Sequence, residues 1–224
     1  MLDRKKRYLQ VALNSTLDEA YEIISQLPAS ERILIEAGTP LIKQYGSAAI
    51  IQLRQWWQER LSGTDILPYV VADLKTIDRG ATEVMIVQNT GASAAIAMGQ
   101  APIETLNIFI ETCTKYGLDS MVDMMNVERP IKVLRNLKKL PTVVILHRGV
   151  DEETYNKSIP IPYIQINKIR ASYNVMISMA GGDTIREVQR AIFNDADIVV
   201  VWKNFYTYSD QTAALAQEFL KVIK

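Results

Sequence analysis

The chain has 224 residues, in which 25 Lys and Arg residues balance 25 Asp and Glu residues, with one His and one Cys. This balance argues against a nucleic-acid-binding protein, because such proteins carry a basic excess. The lone Cys113 excludes an intrachain disulfide and a cysteine-based zinc site. The longest apolar runs are too short to span a bilayer, and no secretory signal is recognisable at the basic N-terminus. We therefore expect a soluble, cytoplasmic protein that binds neither nucleic acid nor membrane.

Short apolar runs alternate with amphipathic stretches along the whole chain. Most of these runs contain Val or Ile, which is typical of strands that are buried on both faces. The eight predicted strands are residues 8–13, 33–37, 69–74, 92–98, 120–125, 142–146, 175–180 and 197–201.

The stretches between the strands have the apolar spacing of helices. Ser15 and Thr16 can cap a helix that begins at Leu17, and Pro102 and Pro130 precede or open two others. Further helices are predicted over residues 41–61, 184–193 and 211–223. Strands that alternate with helices imply a parallel sheet, because parallel neighbours need crossover connections.

Two architectures contain such a sheet. An open doubly wound sheet usually has five or six strands and a glycine-rich first turn. Here the first turn, residues 13–16, contains no glycine. Eight βα units in this length fit a compact (β/α)8 barrel better, so we predict an α/β protein with a single TIM-barrel domain over residues 1–224.

Two helices carry residues that we expect in the core. Cys113 is predicted to be a buried helix residue, because a free cysteine behaves as a small hydrophobe. Of the adjacent Trp56 and Trp57, one indole is expected in the core and the other at solvent or a subunit contact.

Polar residues follow most of the predicted strands. In a barrel, the C-terminal ends of the strands meet at one mouth, where active sites lie. Any one of these residues could instead cap a helix or lie in a solvated loop, but their number indicates a site. They are Asn14, Glu36, Asp73, Lys75, Asp78, Asp123, His147, Arg148, Gly181, Gly182, Asp183, Trp202 and Lys203.

The segment from Asp73 to Asp78 is the strongest of these signals. Residues two apart in a strand face the same side, so Asp73 and Lys75 are predicted to point into the mouth together. A carboxylate beside an ammonium group keeps both ionised near a ligand. The structural alternative is a strand-end ion pair, with Asp78 as the N-cap of the next helix.

Glu36 also ends an apolar strand, where a carboxylate is costly unless it is paired or binds a cation. Glu36 and Asp73, on neighbouring strands, could share one divalent ion that keeps several water ligands. This preference fits Mg²⁺. The sequence contains no His and Cys cluster that would suit zinc.

The remaining candidates concern proton transfer and anion binding. His147, the single histidine, is either a general acid or base or a structural residue. No Gly-x-Ser-x-Gly elbow is present, which excludes that nucleophilic triad. Gly181 and Gly182 precede a helix and could bring backbone amides close to a phosphate. Asp183 is expected to cap that helix and to compete with such a phosphate.

The residues resemble 3-hexulose-6-phosphate synthase, in particular its archaeal form, over nearly the whole chain. The Asp-x-Lys-x-x-Asp signature is shared with 3-keto-L-gulonate-6-phosphate decarboxylase and orotidine 5'-phosphate decarboxylase. The matching segments are residues 9–13, 35–42, 72–80, 119–126, 146–153 and 180–182.

The resemblance implies a barrel that forms a homodimer with shared active sites. It implies the reversible joining of formaldehyde to D-ribulose 5-phosphate through an enediolate, with Mg²⁺ as cofactor. Glu36 and Asp73 would hold the Mg²⁺, and Lys75 would stabilise the developing negative charge.

The same resemblance assigns roles to the other candidates. Asp78 would reach into the neighbouring subunit's site, and His147 would transfer a proton at the enediolate carbon. Gly181 and Gly182 would offer backbone amides to the phosphate.

Two positions depart from the family pattern. Asn14 stands where the family has Asp, and it can bind a sugar hydroxyl but carries no charge. Trp202 and Lys203 replace a Gly-Arg pair that grips phosphate, so an indole occupies open space and the bidentate guanidinium is lost. The aromatic run over residues 202–208, which ends at Tyr208, could line a different ligand site or pack against a partner.

These observations lead to one expected function and two alternatives. The first is an Mg²⁺-dependent aldolase of the hexulose-phosphate type. The second is a related enediolate enzyme, such as a sugar-phosphate decarboxylase of the 3-keto-L-gulonate-6-phosphate type. The third is a non-catalytic relative with a remodelled ligand pocket, because a fold alone does not determine function.

Overall fold

Eight parallel strands form a closed barrel in the computed structural model, which describes residues 1–156, 158, 160–207 and 209–224. The strands pair in chain order, and β8 closes the barrel against β1. They are β1 (Tyr8–Leu13), β2 (Ile33–Ala37), β3 (Val70–Thr76), β4 (Ala94–Met98), β5 (Asp119–Asp123), β6 (Val143–His147), β7 (Met176–Ala180) and β8 (Ile198–Val201). The predicted (β/α)8 barrel is confirmed.

Helices connect the strands and surround the barrel. They are α1 (Leu17–Gln26), α2 (Thr39–Tyr45), α3 (Ser47–Arg60), α4 (Gly80–Gln88), α5 (Ile103–Lys115), α6 (Pro130–Asn136), α7 (Val150–Tyr155), α8 (Tyr163–Arg170), α9 (Ile185–Phe193), α10 (Lys203–Thr207) and α11 (Thr212–Val222). The prediction of one helix over residues 41–61 was wrong. The chain breaks at Gly46, whose φ of 66° is open to glycine but costly for other residues.

The N-terminal ends of two helices are fixed by their own side chains. Thr16 caps α1 as expected, and its side chain and that of Glu19 form a reciprocal capping box. Thr184 forms the same arrangement with Glu187 at the start of α9. Thr184 is therefore the cap of α9 and not its first helical residue.

The core has two layers, which explains why the strands are apolar throughout. One layer fills the barrel interior, with side chains such as Leu34, Met121 and Ile145. The other lies between the strands and the helices. Strands with apolar neighbours on both faces read as continuous apolar runs.

The predicted core residues of the helices are found in the outer layer. Cys113 and Trp57 are buried there, as expected. The indole of Trp56 is only partly buried and packs edge-on against Tyr21 of α1, with ring centroids 5.2 Å apart. None of the helices in the described part of the chain has both the length and the apolar character that a bilayer crossing requires.

Candidate active site

A cavity of about 860 Å³ opens at the C-terminal ends of the strands. This is the end of a (β/α)8 barrel at which active sites lie. The predicted residues that line it are Asn14, Glu36, Asp73, Lys75, Asp123, His147, Arg148, Gly181 and Trp202. Asp78, Gly182 and Lys203 do not line it.

The Lys75 ammonium group lies between two carboxylates at this mouth. Its Nζ is 3.0 Å from Asp73 Oδ2 and 3.3 Å from Asp123 Oδ2. Burial by itself would lower the pKa of Lys75, but the two carboxylates outweigh burial and raise that pKa above its ordinary value. Lys75 therefore remains a fixed positive charge against the cavity.

The backbone of β3 brings Asp73 and Lys75 together by a different route from the predicted one. The pairing with β4 shifts register between Ala72 and Thr76, and Lys75 has a φ of 48°. Regular strand alternation therefore does not hold here, although both side chains reach the mouth. A non-glycine residue in this conformation is strained, and such strain is typical of functional positions.

Asp123 connects Lys75 to His147. Its Oδ2 atom lies 2.7 Å from Nδ1 of His147, and its Oδ1 atom accepts the backbone N–H of Met125 at 2.9 Å. Burial disfavours the imidazolium form, but the adjacent Asp123 carboxylate raises the pKa of His147 above its ordinary value. Burial likewise opposes ionisation of Asp123, yet His147 and Lys75 lower the pKa of Asp123.

The sequence identified Asp123 as a strand-end group but assigned it no role. Strand register supplies the missing information, because Asp123 pairs with Ile145 and His147 follows two residues later on the same face. Contact between the two side chains follows from that alignment, which the sequence alone does not determine.

Glu36 lines the cavity without forming an ion pair with any described residue. It is buried, and Gln10 donates a hydrogen bond from Nε2 to its Oε2 atom. Burial first, and repulsion from Asp73 second, raise the pKa of Glu36 to about 7. Asp73 is held by Lys75 and by the Thr39 hydroxyl, which donates to its Oδ2 atom at 2.9 Å.

The donors at Glu36 and Asp73 fit a magnesium ion. Glu36 pairs with Val71 across β2 and β3, Asp73 follows Val71 by two residues, and both carboxylates line the cavity. Two repelling carboxylates that line one cavity supply the oxygen ligands that Mg²⁺ prefers, with water completing the shell. The described residues contain no group of three or more His, Cys, Asp or Glu side chains that could hold a metal ion.

Asn14 lines the cavity at the end of β1. Tyr206 of α10 accepts hydrogen bonds at its hydroxyl from the backbone amides of Asn14, at 2.9 Å, and Ser15, at 3.3 Å. A Cβ atom at Gly38 would lie 1.9 Å from Asn14 Oδ1, so the Asn14 side chain packs directly on the Gly38 backbone.

Arg148 and Gly181 contact each other across the cavity from β3, at the ends of β6 and β7. Arg148 donates from Nη2 to the Gly181 carbonyl oxygen at 2.7 Å. Gly181 has a φ of 95°, and a Cβ atom there would lie 2.3 Å from the Arg148 carbonyl oxygen. The Arg148 guanidinium also faces Glu153 at 3.6 Å and Glu187 at 3.7 Å.

The expectation that Asp183 caps α9 was wrong, because Thr184 is the cap. The Asp183 carboxylate turns instead to the end of β8. Its Oδ1 atom accepts the backbone N–H groups of Trp202, at 2.7 Å, and Lys203, at 3.1 Å. Burial raises the pKa of Asp183 despite these two hydrogen bonds.

Trp202, Lys203 and Tyr206 pack together after β8. The Trp202 indole lines the cavity, and Lys203 Nζ lies 5.4 Å from the centre of that ring while it pairs with Glu153. Tyr206 packs edge-on against Trp202 at 6.4 Å. Tyr208, the last residue of the aromatic run, lies outside the described residues.

Asp78 is exposed and lies apart from this cavity. The alternative that Asp78 caps the next helix was wrong, because the residue at the cap position of α4 is Arg79, with a φ of 55°. A role for Asp78 in a second subunit stays a prediction.

A closed (β/α)8 barrel with ionisable side chains converging on its C-terminal mouth defines the enzyme-type site of this fold. Residues 7–217 match the "Orotidine 5'-phosphate decarboxylase / HUMPS family", and the chain belongs to that family.

The chain is similar to two proteins named "Bifunctional enzyme Fae/Hps". The protein of Methanocella arvoryzae is 34% identical over 223 residues, which cover 97% of this chain and 53% of the relative. The protein of Methanococcoides burtonii is 38% identical over 216 residues, which cover 96% of this chain and 52% of the relative. This chain therefore spans about half the length of the curated relatives it matches.

Among solved structures, the fold is similar to that of 3-hexulose-6-phosphate synthase from Salmonella typhimurium. The TM-score is 0.84 at 23% identity, and the alignment covers 96% of this chain and 98% of that chain. At this level of identity the likeness shows the fold alone.

Proposed function

We propose that this protein is a cytoplasmic, Mg²⁺-dependent aldolase of the hexulose-phosphate type. It joins formaldehyde to D-ribulose 5-phosphate through an enediolate, in a reversible reaction. The observation that carries the proposal is the position of Lys75, between Asp73 and Asp123 and next to the same cavity as His147. The names of the relatives, of whose length this chain covers about half, support the class of reaction.

Lys75 supplies fixed positive charge where the enediolate develops negative charge. A preorganised cation in a partly buried site stabilises such an intermediate more than water does, because no solvent has to reorganise. The Lys75 side chain is 26% exposed, which leaves it accessible from the cavity while Asp73 and Asp123 hold its position.

His147 moves the proton at the enediolate carbon. Its Nδ1 atom is engaged by Asp123, so Nε2 is the ring nitrogen left for the substrate. Burial opposes the charged ring, but the Asp123 carboxylate raises the pKa of His147 and so stabilises the imidazolium that forms when the ring takes up a proton. The neutral imidazole can take a proton from the sugar carbon at Nε2, and the imidazolium that results can return that proton to an oxygen of the product.

Glu36 and Asp73 would hold the Mg²⁺. When bound, the ion supplies positive charge that polarises the ketone and stabilises the enediolate oxygens. Asn14 would donate a hydrogen bond to a sugar hydroxyl, and Gly181 and Gly182 would lie near the phosphate end of the substrate.

A homodimer with shared sites belongs to this proposal. Ile77, Asp78 and Arg79 are exposed at the end of β3, and Met85 and Ile86 of α4 are 42% and 51% exposed. Exposed apolar side chains around Asp78 suit a surface that meets a second copy, where Asp78 could enter the other cavity.

The second candidate is a related enediolate enzyme, such as a sugar-phosphate decarboxylase. The observation in its favour is the altered end of β8, where Trp202 and Lys203 change the surroundings of the substrate's far end. A coupled assay of formaldehyde consumption with ribulose 5-phosphate and Mg²⁺ separates the two, because the decarboxylase would not consume formaldehyde.

Metal binding provides an independent test through thermal unfolding. The folded-state pKa of Glu36, about 7, lies above the value of a free carboxyl, so its ionisation destabilises the fold as pH rises through 7. We expect Mg²⁺ to stabilise the protein by about 1–3 kcal/mol at pH 8, and less at pH 6, where Glu36 is protonated.

The Glu36→Gln variant should lose this response to Mg²⁺, whereas Glu22→Gln, at an exposed position of α1, should keep it. A Mg²⁺ response of Glu36→Gln equal to that of the unchanged protein would remove Glu36 from the metal site. Absence of formaldehyde consumption would reject the aldolase.

A further inference from the structure

Arg148 follows β6 directly, Lys203 lies two residues after β8, and one carboxylate pairs with both. Glu153 Oε1 lies 3.6 Å from Arg148 Nη2, and Glu153 Oε2 pairs with Lys203 Nζ. Glu153 belongs to α7 and lines the cavity itself. A single side chain thus joins the cations at the ends of two strands.

Two further carboxylates complete this cluster. Glu187 lies 3.7 Å from Arg148, and Asp183 accepts the backbone amides of Trp202 and Lys203. The contacts therefore join three carboxylates to two cations and two amides. An incoming anion meets cations that already have negative partners, so it competes with those carboxylates.

Exposure and hydrogen bonding identify the carboxylate that can leave. Asp183 is 7% exposed and anchored by two amides, so it is part of the fold. The Glu153 side chain is 30% exposed, and its contacts with the described residues are ion pairs. Solvent reaches the pair with Lys203, whose side chain is 33% exposed, and solvent screening weakens such ion pairs, so exchange of Glu153 for another anion has a low free-energy cost.

We propose that Glu153 is an intramolecular competitor for the anionic end of the substrate and thereby sets the affinity for phosphate esters. Binding transfers Lys203, and the outer face of Arg148, from Glu153 to the phosphate. The substrate class rests on the proposed function, whereas the competition itself requires only that an anion binds at this end.

The size of the effect follows from the population of the paired state. If Glu153 holds the cations in about nine molecules of ten, the apparent affinity for an anion is about tenfold below its intrinsic value. Removing the Glu153 charge should therefore raise the apparent affinity for the anion by about tenfold.

Isothermal titration calorimetry of the full chain with inorganic phosphate tests the proposal. Glu153→Gln should tighten phosphate binding by about tenfold, because the amide keeps the size of the side chain but competes poorly for cations. The matched control is Asp151→Asn, which removes one charge from the same helix and the same cavity. Asp151 makes no ion pair with any described residue, so this control should change phosphate binding by less than about twofold.

The double variant Glu153→Gln with Lys203→Gln should not show this tighter phosphate binding. Unchanged or weaker binding in Glu153→Gln, equal tightening in Asp151→Asn, or no phosphate binding by any variant would each overturn the proposal. Thermal unfolding confirms that each variant is folded before titration.

The aldolase assay on the same proteins keeps this outcome separate from the proposed function. Tighter phosphate binding without formaldehyde consumption would reject the aldolase and leave the competition in place. Formaldehyde consumption with unchanged phosphate binding in Glu153→Gln would support the aldolase and reject the competition.

Discussion

The two sides of the cavity use charge in opposite ways. At the ends of β3, β5 and β6, Lys75, Asp123 and His147 form a connected chain against the cavity. At the ends of β7 and β8, charged groups satisfy one another, as in the pairing of Lys203 with Glu153. The first side is arranged to act on a ligand, whereas the second must give up internal contacts to bind one.

The backbone shows the same contrast. Lys75 is held in a strained conformation that places its ammonium group at the mouth. On the other side, Gly181 has a positive φ that allows close packing with the Arg148 backbone. A positive φ therefore presents a charged side chain at a strained residue on one side, and on the other side it lets the chain pack closely on itself at an unstrained glycine.

The largest expected effect tests the reactive side. Replacing Lys75 with Met removes its charge and keeps its length, so kcat for formaldehyde consumption should fall about 10³-fold, or about 4 kcal/mol. The control is Lys132→Met at an exposed position of α6, which should leave kcat unchanged. If Lys75→Met keeps more than about a tenth of kcat, Lys75 is a structural ion-pair partner and not a catalytic residue.

A smaller effect is expected from Asp123, which positions its neighbours. Asp123→Asn should lower kcat/KM by about 100-fold and should lower the pKa of His147, because burial then acts without the carboxylate. The raised folded-state pKa of His147 means that its contribution to stability is complete below the unfolded value and is lost as pH rises through the folded one. In Asp123→Asn this pH-dependent contribution disappears.

Titration of the imidazole by NMR measures that pKa, and the chain has only one histidine to observe. Asp119→Asn is the matched control, since Asp119 begins the same strand at its other end. An unchanged His147 pKa in Asp123→Asn would contradict the role of the Asp123 carboxylate.

The smallest effect tests the self-paired side through stability. Gly181→Ala should lower the free energy of unfolding by about 2 kcal/mol, because its Cβ meets the Arg148 carbonyl oxygen and its φ suits glycine. Gly182→Ala should lower the free energy of unfolding less, because a Cβ atom at Gly182 would meet side-chain atoms of Glu187 and Ile161, at 3.0 and 3.1 Å. Denaturant unfolding compares the two variants, and equal stability losses would count against backbone packing at Gly181.

The sequence predicted the barrel well because the strands are buried on both faces. Apolar runs such as residues 33–37 therefore mark strands directly, and the element order leaves few topologies. The break at Gly46 was missed because apolar residues continue on both sides of it. The sequence did not predict that β3 continues to Thr76, because no apolar pattern marks the segment where the register shifts.

The site was only partly predictable for a related reason. Glu36, Asp73, Lys75 and His147 were found because each ends an apolar run. The partnership of Asp123 with His147 depends on strand register, and that of Glu153 with Lys203 depends on where α7 packs. Asp183 was placed at the wrong backbone amides, because Thr184 is a competing cap one residue later.

The hydrogen bonds from Asn14 and Ser15 to the Tyr206 hydroxyl have a mechanical consequence. They join the loop after β1 to the helix after β8, beyond Val11 and Val201, the last residues through which β1 and β8 pair. One phenol thus limits how far the seam between β1 and β8 can widen by thermal motion, and it ties the five-residue α10 to the loop after β1. Because Lys203 begins α10, the side chain that pairs with Glu153 and the tyrosine that holds the loop after β1 belong to one short helix.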